Sequence, residues 1–243
     1  MANLLQVKGL YKSFGGIKAI NNVSLNVQEG EIVGLIGPNG SGKSTFVNLI
    51  CGLYHPDAGQ VLLKGDEVTG LDAPTMASKG VARTFQASRP FLNLTVMENV
   101  IIAALLHEPL LQAEKKAMEI IKFTGLDKYK NIKCASLPVE IRKRLDISRA
   151  LAINPCLIML DEAMAGLNPK EMEEGIELVR RINQEGITVI FIEHVIKAVM
   201  ALSHRIIVLN QGELLIEGDP QTVINDEKVI KAYLGDGFAH VTN

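Results

Sequence analysis

The nine residues GPNGSGKST, 37 to 45, restrict what this chain can fold into more than any other stretch. They fit G-x-x-x-x-G-K-[ST] and stand between EIVGLIG, a short apolar run of buried-strand type, and TFVNLICGL, whose apolar positions recur at helical spacing. Strand, glycine-rich loop and helix in that order make a cradle for an anion. Glycines let the backbone curl until several N–H groups point at one phosphate, and the helix N-terminus adds its positive end. Gly37, Pro38, Asn39, Gly40, Ser41 and Gly42 supply the loop. Lys43 is placed to reach the β and γ phosphates of a nucleotide, Ser44 to hold Mg²⁺, and Thr45 to assist at the α phosphate.

The rest of the chain reads as an α/β frame around that loop. CLIMLDE (156–162) and GITVIFIEH (186–194) are buried strands, and PKEMEEGIELVRRIN between them is an amphipathic helix, which argues a parallel sheet flanked by helices. The first thirty residues alternate apolar and polar around a Phe14-Gly15-Gly16 turn and predict antiparallel strands. From about Met97 to Leu126 the period becomes helical, with Gly125 placed as a helix stop. RIIVLNQGELLIEG predicts a hairpin turning at Gln211-Gly212, and Asp219-Pro220 opens a closing helix that ends near Leu234. One domain is expected over 1–243. Its core is 1–87 with 153–243, and 88–152 forms an inserted helical subdomain.

Hydrophobic residues make up 47% and charged residues 21% of the 243, which argues against disorder, and a net charge of −2 gives no basic excess for nucleic acid. MANLLQVKGL has no charged leader before an apolar run, and no apolar stretch approaches the ~20 residues of a bilayer span. An intracellular chain is expected. Cys51, Cys134 and Cys156 lack metal-ligand spacing and read as buried thiols.

Four further residues gain meaning beside the loop. Asp161 and Glu162 end a strand, where open α/β sheets place ligands beyond the carboxyl ends. Strand alternation would let Asp161 hold Mg²⁺ through water while Glu162 acts as general base on a water attacking the γ phosphate. His194 ends the next strand and reads as a γ-phosphate contact, and Gln86, after VARTF, as a contact to the metal or the attacking water.

The ordered set GPNGSGKST, TFQ, SLPVEIRKRLDISRAL, LIMLDE, AGLNP and IFIEH resembles the ATP-binding subunits of ABC transporters across essentially the whole chain. VARTFQASRPF, LDEAMAGLNPKE, IEHVIKAVM and the tail EGDPQTVINDEKVIKAYLG are most similar to the branched-chain amino-acid importer ATPases that pair with a sister ATPase. The resemblance implies a P-loop NTPase of RecA-like class with an N-terminal antiparallel β subdomain and an inserted helical subdomain. It implies ATP and Mg²⁺ as ligands, with ATP hydrolysis powering import. Membrane permease subunits would dock in a groove from Gln86 to Asn93, with Phe91 and Leu92 as its docking surface or as core. A homologous ATPase subunit would complete the dimer, at the inner face of the cell membrane. It assigns Phe14, with Tyr11 as second candidate, to adenine stacking, Gln86 to the Q-loop, Asp161 and Glu162 to the magnesium and catalytic acids, and His194 to the switch. Ala165 to Asn168 falls on the D-loop, with asparagine where aspartate is usual.

Leu137-Pro138-Val139-Glu140-Ile141 stands where the family has Leu-Ser-Gly-Gly-Gln, the signature that closes over ATP held by a head-to-tail partner. Two readings stay open. Glu140 turned inward at ~6 Å would repel a phosphate by ~3 kcal/mol at an effective dielectric of 20, leaving a nucleotide-gated dimerisation module with little turnover. Turned outward it favours its own helix dipole, beside a solvated basic face of Arg142, Lys143 and Arg144.

Overall fold

Three strands are buried from end to end, and that fixes the centre of the molecule. In the computed structural model, which describes residues 2–85 and 90–234, the chain begins with β1 (Asn3–Phe14), β2 (Ile17–Gln28), β3 (Ile32–Ile36) and α1 (Lys43–Ile50). Next come β4 (Ala58–Leu63), β5 (Asp66–Glu67), α2 (Ala73–Ser78) and β6 (Val81–Arg83). Three helices follow, α3 (Val96–Ala104), α4 (Leu110–Phe123) and α5 (Val139–Ala152). Strands and helices then alternate as β7 (Leu157–Asp161), α6 (Pro169–Gln184), β8 (Thr188–Ile192), α7 (Ile196–Leu202) and β9 (Arg205–Asn210). The described chain closes with β10 (Glu213–Gly218), α8 (Pro220–Ile224) and α9 (Glu227–Leu234).

Every residue of β3, β7 and β8 is buried, as strands covered on both faces must be. Their side chains divide by parity. Val33, Leu35, Leu157, Met159, Ile190 and Ile192 join one core with Phe46, Val47, Leu49 and Ile50 of α1. Ile32, Ile36, Ile158, Leu160, Val189 and Phe191 join the other, with the apolar faces of α5, α6 and α7. The six strands run in the order β10-β9-β3-β8-β7-β6, parallel except for β10. Pairing of Leu35 and Asp161 with Ile192 sets the carboxyl ends of β3, β7 and β8 at one edge.

The expected antiparallel start is present as a second sheet in the order β2-β1-β4-β5. Phe14 pairs with Ile17 around Gly15 and Gly16, both at positive φ. A third core, including Val96, Val100, Ala117, Ile121, Leu137 and Leu145, holds α3, α4 and α5 together. Gly125, at φ 71, ends α4: its N–H bonds to Lys122 O, and that of Leu126 to Ile121 O. Two details differ from the sequence reading. The closing helix is broken at Asn225-Asp226 into α8 and α9, and Cys156 is only half-buried. No described helix is long and apolar enough to cross a membrane.

Candidate functional site

The loop between β3 and α1 has little room for anything but glycine at two points. A Cβ on Gly37 would lie 2.1 Å from the Leu209 carbonyl oxygen, and one on Gly42, at φ 104, would lie 2.5 Å from that of Ala19. Lys43, 7% exposed, folds back over the loop and donates to Gly37 O at 2.7 Å and Pro38 O at 3.1 Å. Burial lowers its pKa, while the carboxylates of Glu162 and Asp161 act the other way. The β9–β10 turn braces the loop from outside, since Gly212 N–H donates to Ser41 O at 3.0 Å.

A cleft of about 570 Å³ opens above the loop, lined by Asn39 to Thr45, Asp161, Glu162, Ile192, His194 and Gln211, with Ile17 to Ala19 at one side. Most of the predicted residues thus meet in one cavity. Gly37 and Pro38 form the loop's base, outside the cleft lining. Phe14 is 43% exposed and also outside it, its ring edge-on to Tyr54 at 5.2 Å. Tyr11 is half-buried under Lys18. Gln86 lies outside the described residues.

Simple strand alternation does not explain the acidic pair. β7 ends at Asp161, and Glu162 sits at φ 50, a left-handed backbone that β7 could not continue through. Its N–H donates to Ile192 O at 2.9 Å, so the turn is tied to β8, and both carboxylates enter the same cleft. Glu162 Oε1 lies 3.2 Å from His194 Nε2. Burial raises the Asp161 pKa, with Arg83 the main opposing influence: Arg83 Nη2 stands 3.2 Å from Asp161 Oδ2. Thr84 Oγ1 accepts the Asp161 N–H at 3.0 Å.

Several residues here carried no signal in the sequence. Glu193 is fully buried, its carboxylate accepting the N–H groups of Met164 at 2.6 Å and His194 at 3.3 Å, and burial raises its pKa. Lys143 Nζ donates to Glu162 O at 2.9 Å and Ala165 O at 2.5 Å, pinning α5 to the turn that follows β7. Tyr233 Oη accepts the Gly37 N–H at 2.7 Å. Arg83 stood beside the predicted Gln86 in VARTFQ, but its partner is 78 positions away.

The basic face of α5 is only partly solvated. Arg142 donates to Ala135 O, Lys143 holds the turn that follows β7, Arg144 pairs with Glu174 at 2.9 Å, and all three are half-buried. Pro138 is the N-cap of α5, Val139 is 67% exposed, and Leu137 and Ile141 are buried in the helical core. Asn168 caps α6: its Oδ1 accepts the Glu171 N–H at 3.0 Å and Glu171 Oε2 accepts the Asn168 N–H. Asparagine and aspartate cap equally well, which accounts for this side chain in local terms.

A strand-loop-helix phosphate cradle beneath paired acids, beside an antiparallel sheet and three extra helices, is the architecture of an ATP-binding cassette. The family described as ABC transporter matches residues 20–165, and the chain belongs to it, as an ATP-binding ATPase subunit. A second family, described as branched-chain amino acid ATP-binding cassette transporter, matches residues 213–239.

Among individual proteins, the chain is 38% identical over 250 residues to the high-affinity branched-chain amino acid transport ATP-binding protein BraF of Pseudomonas aeruginosa. That match covers 96% of this chain and 98% of BraF. It is 40% identical over 250 residues to the LivG protein of Escherichia coli, of the same description, at the same coverage of each. The crystal structure of an ATP-binding cassette in its ADP conformation superposes with a TM-score of 0.89 at 31% identity, covering 97% of this chain and all of that one. These relatives favour an ATPase over a dimerisation module with little turnover.

Proposed function

We propose that this chain hydrolyses Mg-ATP to drive import of branched-chain or chemically related amino acids. It does so as one of two homologous cassettes bound to membrane permease subunits at the inner face of the cell membrane. The solute and direction rest on the descriptions of BraF and LivG together with the match at 213–239. The observation that carries the chemistry is the convergence of the loop, Asp161, Glu162 and His194 on one cleft.

The loop amides and Lys43 take the triphosphate, with Phe14 beside the base. Lys43 then exchanges a carbonyl partner for phosphate oxygen, a change eased by the buried ammonium's gain of a counter-charge. Ser44 and Asp161 fit a magnesium ion. A hydroxyl and a carboxylate are the hard oxygen donors it prefers, and among the described residues only the Oδ2 atom of Asp161 is engaged, by Arg83. Bound there, the ion supplies positive charge against the phosphate oxygens. Glu162 orients a water and receives its proton, and His194, already in reach of Glu162, holds the outermost phosphate. Gln86 completes the contacts to metal and water, and the segment to Asn93, with Phe91 and Leu92 both 48% exposed, receives the permease.

Steady-state ATPase measured alone, with the homologous subunit, and in permease-containing vesicles tests this. Glu162→Gln should abolish turnover and leave Mg-ATP binding intact. Vesicles loaded with ATP should take up a branched-chain amino acid. Turnover that survives Glu162→Gln would remove the assigned base, and ATPase without uptake of any such solute would remove the assigned cargo.

A further inference from the structure

Among the described residues, α9 reaches the phosphate loop through the hydroxyl of Tyr233. Tyr233, in the last turn of α9, accepts the N–H of Gly37 at 2.7 Å. Gly37 is the first residue after β3, beyond the last paired position of that strand, Ile36 with Val208, so its N–H has no partner in the sheet. At the other end of the same residue, the Gly37 carbonyl accepts the Lys43 ammonium at 2.7 Å. Tyr233, Gly37 and Lys43 therefore form one chain of hydrogen bonds, from the end of the described polypeptide to the cation under the phosphates.

The setting leaves Gly37 little freedom on its remaining sides. The Leu209 carbonyl and the Ser41 hydroxyl crowd its Cα so closely that a Cβ would meet them at 2.1 and 2.6 Å. One wall of this seat belongs to β9, one to the loop itself, and the third is the tyrosine. α9 itself is anchored by Val229, 3% exposed, in the core shared with α6 and α7. The hydroxyl is thus held from the body of the protein.

We propose that Tyr233 is a positioning residue for nucleotide binding: its hydroxyl fixes the Gly37 peptide, and through it the resting place of Lys43. The inference rests on the reading of residues 37–45 as the triphosphate cradle. It assigns to the C-terminal segment, matched separately at 213–239, a direct role in setting ATP affinity. A loop no longer held at Gly37 samples more arrangements, and ATP binding has to restore the one in which the amides converge. The chemical step is untouched, because Tyr233 is not among the residues lining the cleft.

Tyr233→Phe on the full chain tests this, since phenylalanine keeps the ring and removes only the acceptor. One neutral hydrogen bond is worth about 0.5–1.5 kcal/mol, so the Mg-ATP dissociation constant from calorimetry should rise by up to about twelvefold and by no less than about twofold. In the assembled ATPase, KM should rise by a similar factor with kcat within about twofold. Tyr233→Ala, which also loses the ring, should show an equal or larger rise. A KM unchanged in Tyr233→Phe, or a loss confined to kcat, would overturn the proposal. Lys43→Ala serves as reference: if the otherwise wild-type chain keeps its ATP affinity without the lysine, the cradle reading itself has failed, which is a separate result.

Discussion

Arg83→Met should unfold this protein more easily, and by an amount the structure sets. The guanidinium and the Asp161 carboxylate are 11% and 9% exposed and 3.2 Å apart. Removing one partner of a buried pair leaves the other charge uncompensated, at about 3–5 kcal/mol. Arg83 also bonds to Asn48 Oδ1 and stacks on Phe85 at 4.5 Å, and those contacts go with it. Lys43 remains near Asp161 as a second cation, which places the expected cost near the low end, about 3 kcal/mol. For a chain of this size that is a fall in Tm of about 6–12 °C.

The decisive measurement is a double-mutant cycle in urea on the nucleotide-free protein, with Asp161→Asn as the second change. Once the carboxylate is neutral, Arg83→Met should cost only about 1 kcal/mol, giving a coupling of about 2 kcal/mol. An Arg83→Met cost below about 1 kcal/mol, or one equally large in the Asp161→Asn background, would refute the view that the ion pair is what Arg83 contributes.

Other expectations are simpler to check. Burial pushes the Cys51 thiol up to about 12, so at pH 8 alkylation followed by mass spectrometry should label half-buried Cys156 well before Cys51. Asn168→Ala should cost about 1 kcal/mol by loss of the α6 cap, seen as a lower urea midpoint, whereas Asn168→Asp should be nearly neutral. Glu193 has its pKa raised by burial, so the folded chain holds that proton more tightly than the unfolded one. This contribution to stability is complete below the unfolded value and is lost as pH rises through the folded value. Glu193→Gln should therefore flatten the decline in Tm as pH rises out of the ordinary carboxylate range, and a parallel pH profile for variant and wild type would contradict it.

The phosphate cradle was legible because it is local: its strand, glycines, lysine and helix are consecutive, and backbone geometry within a few residues dictates the anion site. Asp161, Glu162 and His194 were legible by position, since the carboxyl ends of buried strands share an edge in a parallel sheet. What the residues did not disclose was how Glu162 gets there. Its left-handed turn and its bond to Ile192 O depend on β7 lying beside β8. Arg83, Lys143, Glu193 and Tyr233 were illegible for the same reason: each acts through a partner in another element, and nothing in the local pattern distinguishes such a side chain from a surface one. The basic trio of α5 shows the error this produces, because three cations in a row look solvated until their carbonyl and carboxylate partners are placed.

Lys143 has a consequence that reaches beyond its own molecule. If two cassettes pair head to tail, as the resemblance at residues 137–141 implies, the first turn of α5 would lie over the neighbour's ATP, while about one turn further on the lysine grips the carbonyls of Glu162 and Ala165 in its own subunit. The helix is then a rigid rod touching two reaction centres at once. A crosslink or small molecule that immobilised α5 at either end should arrest both centres together, so inhibition by such an agent would be complete at one bound molecule per pair.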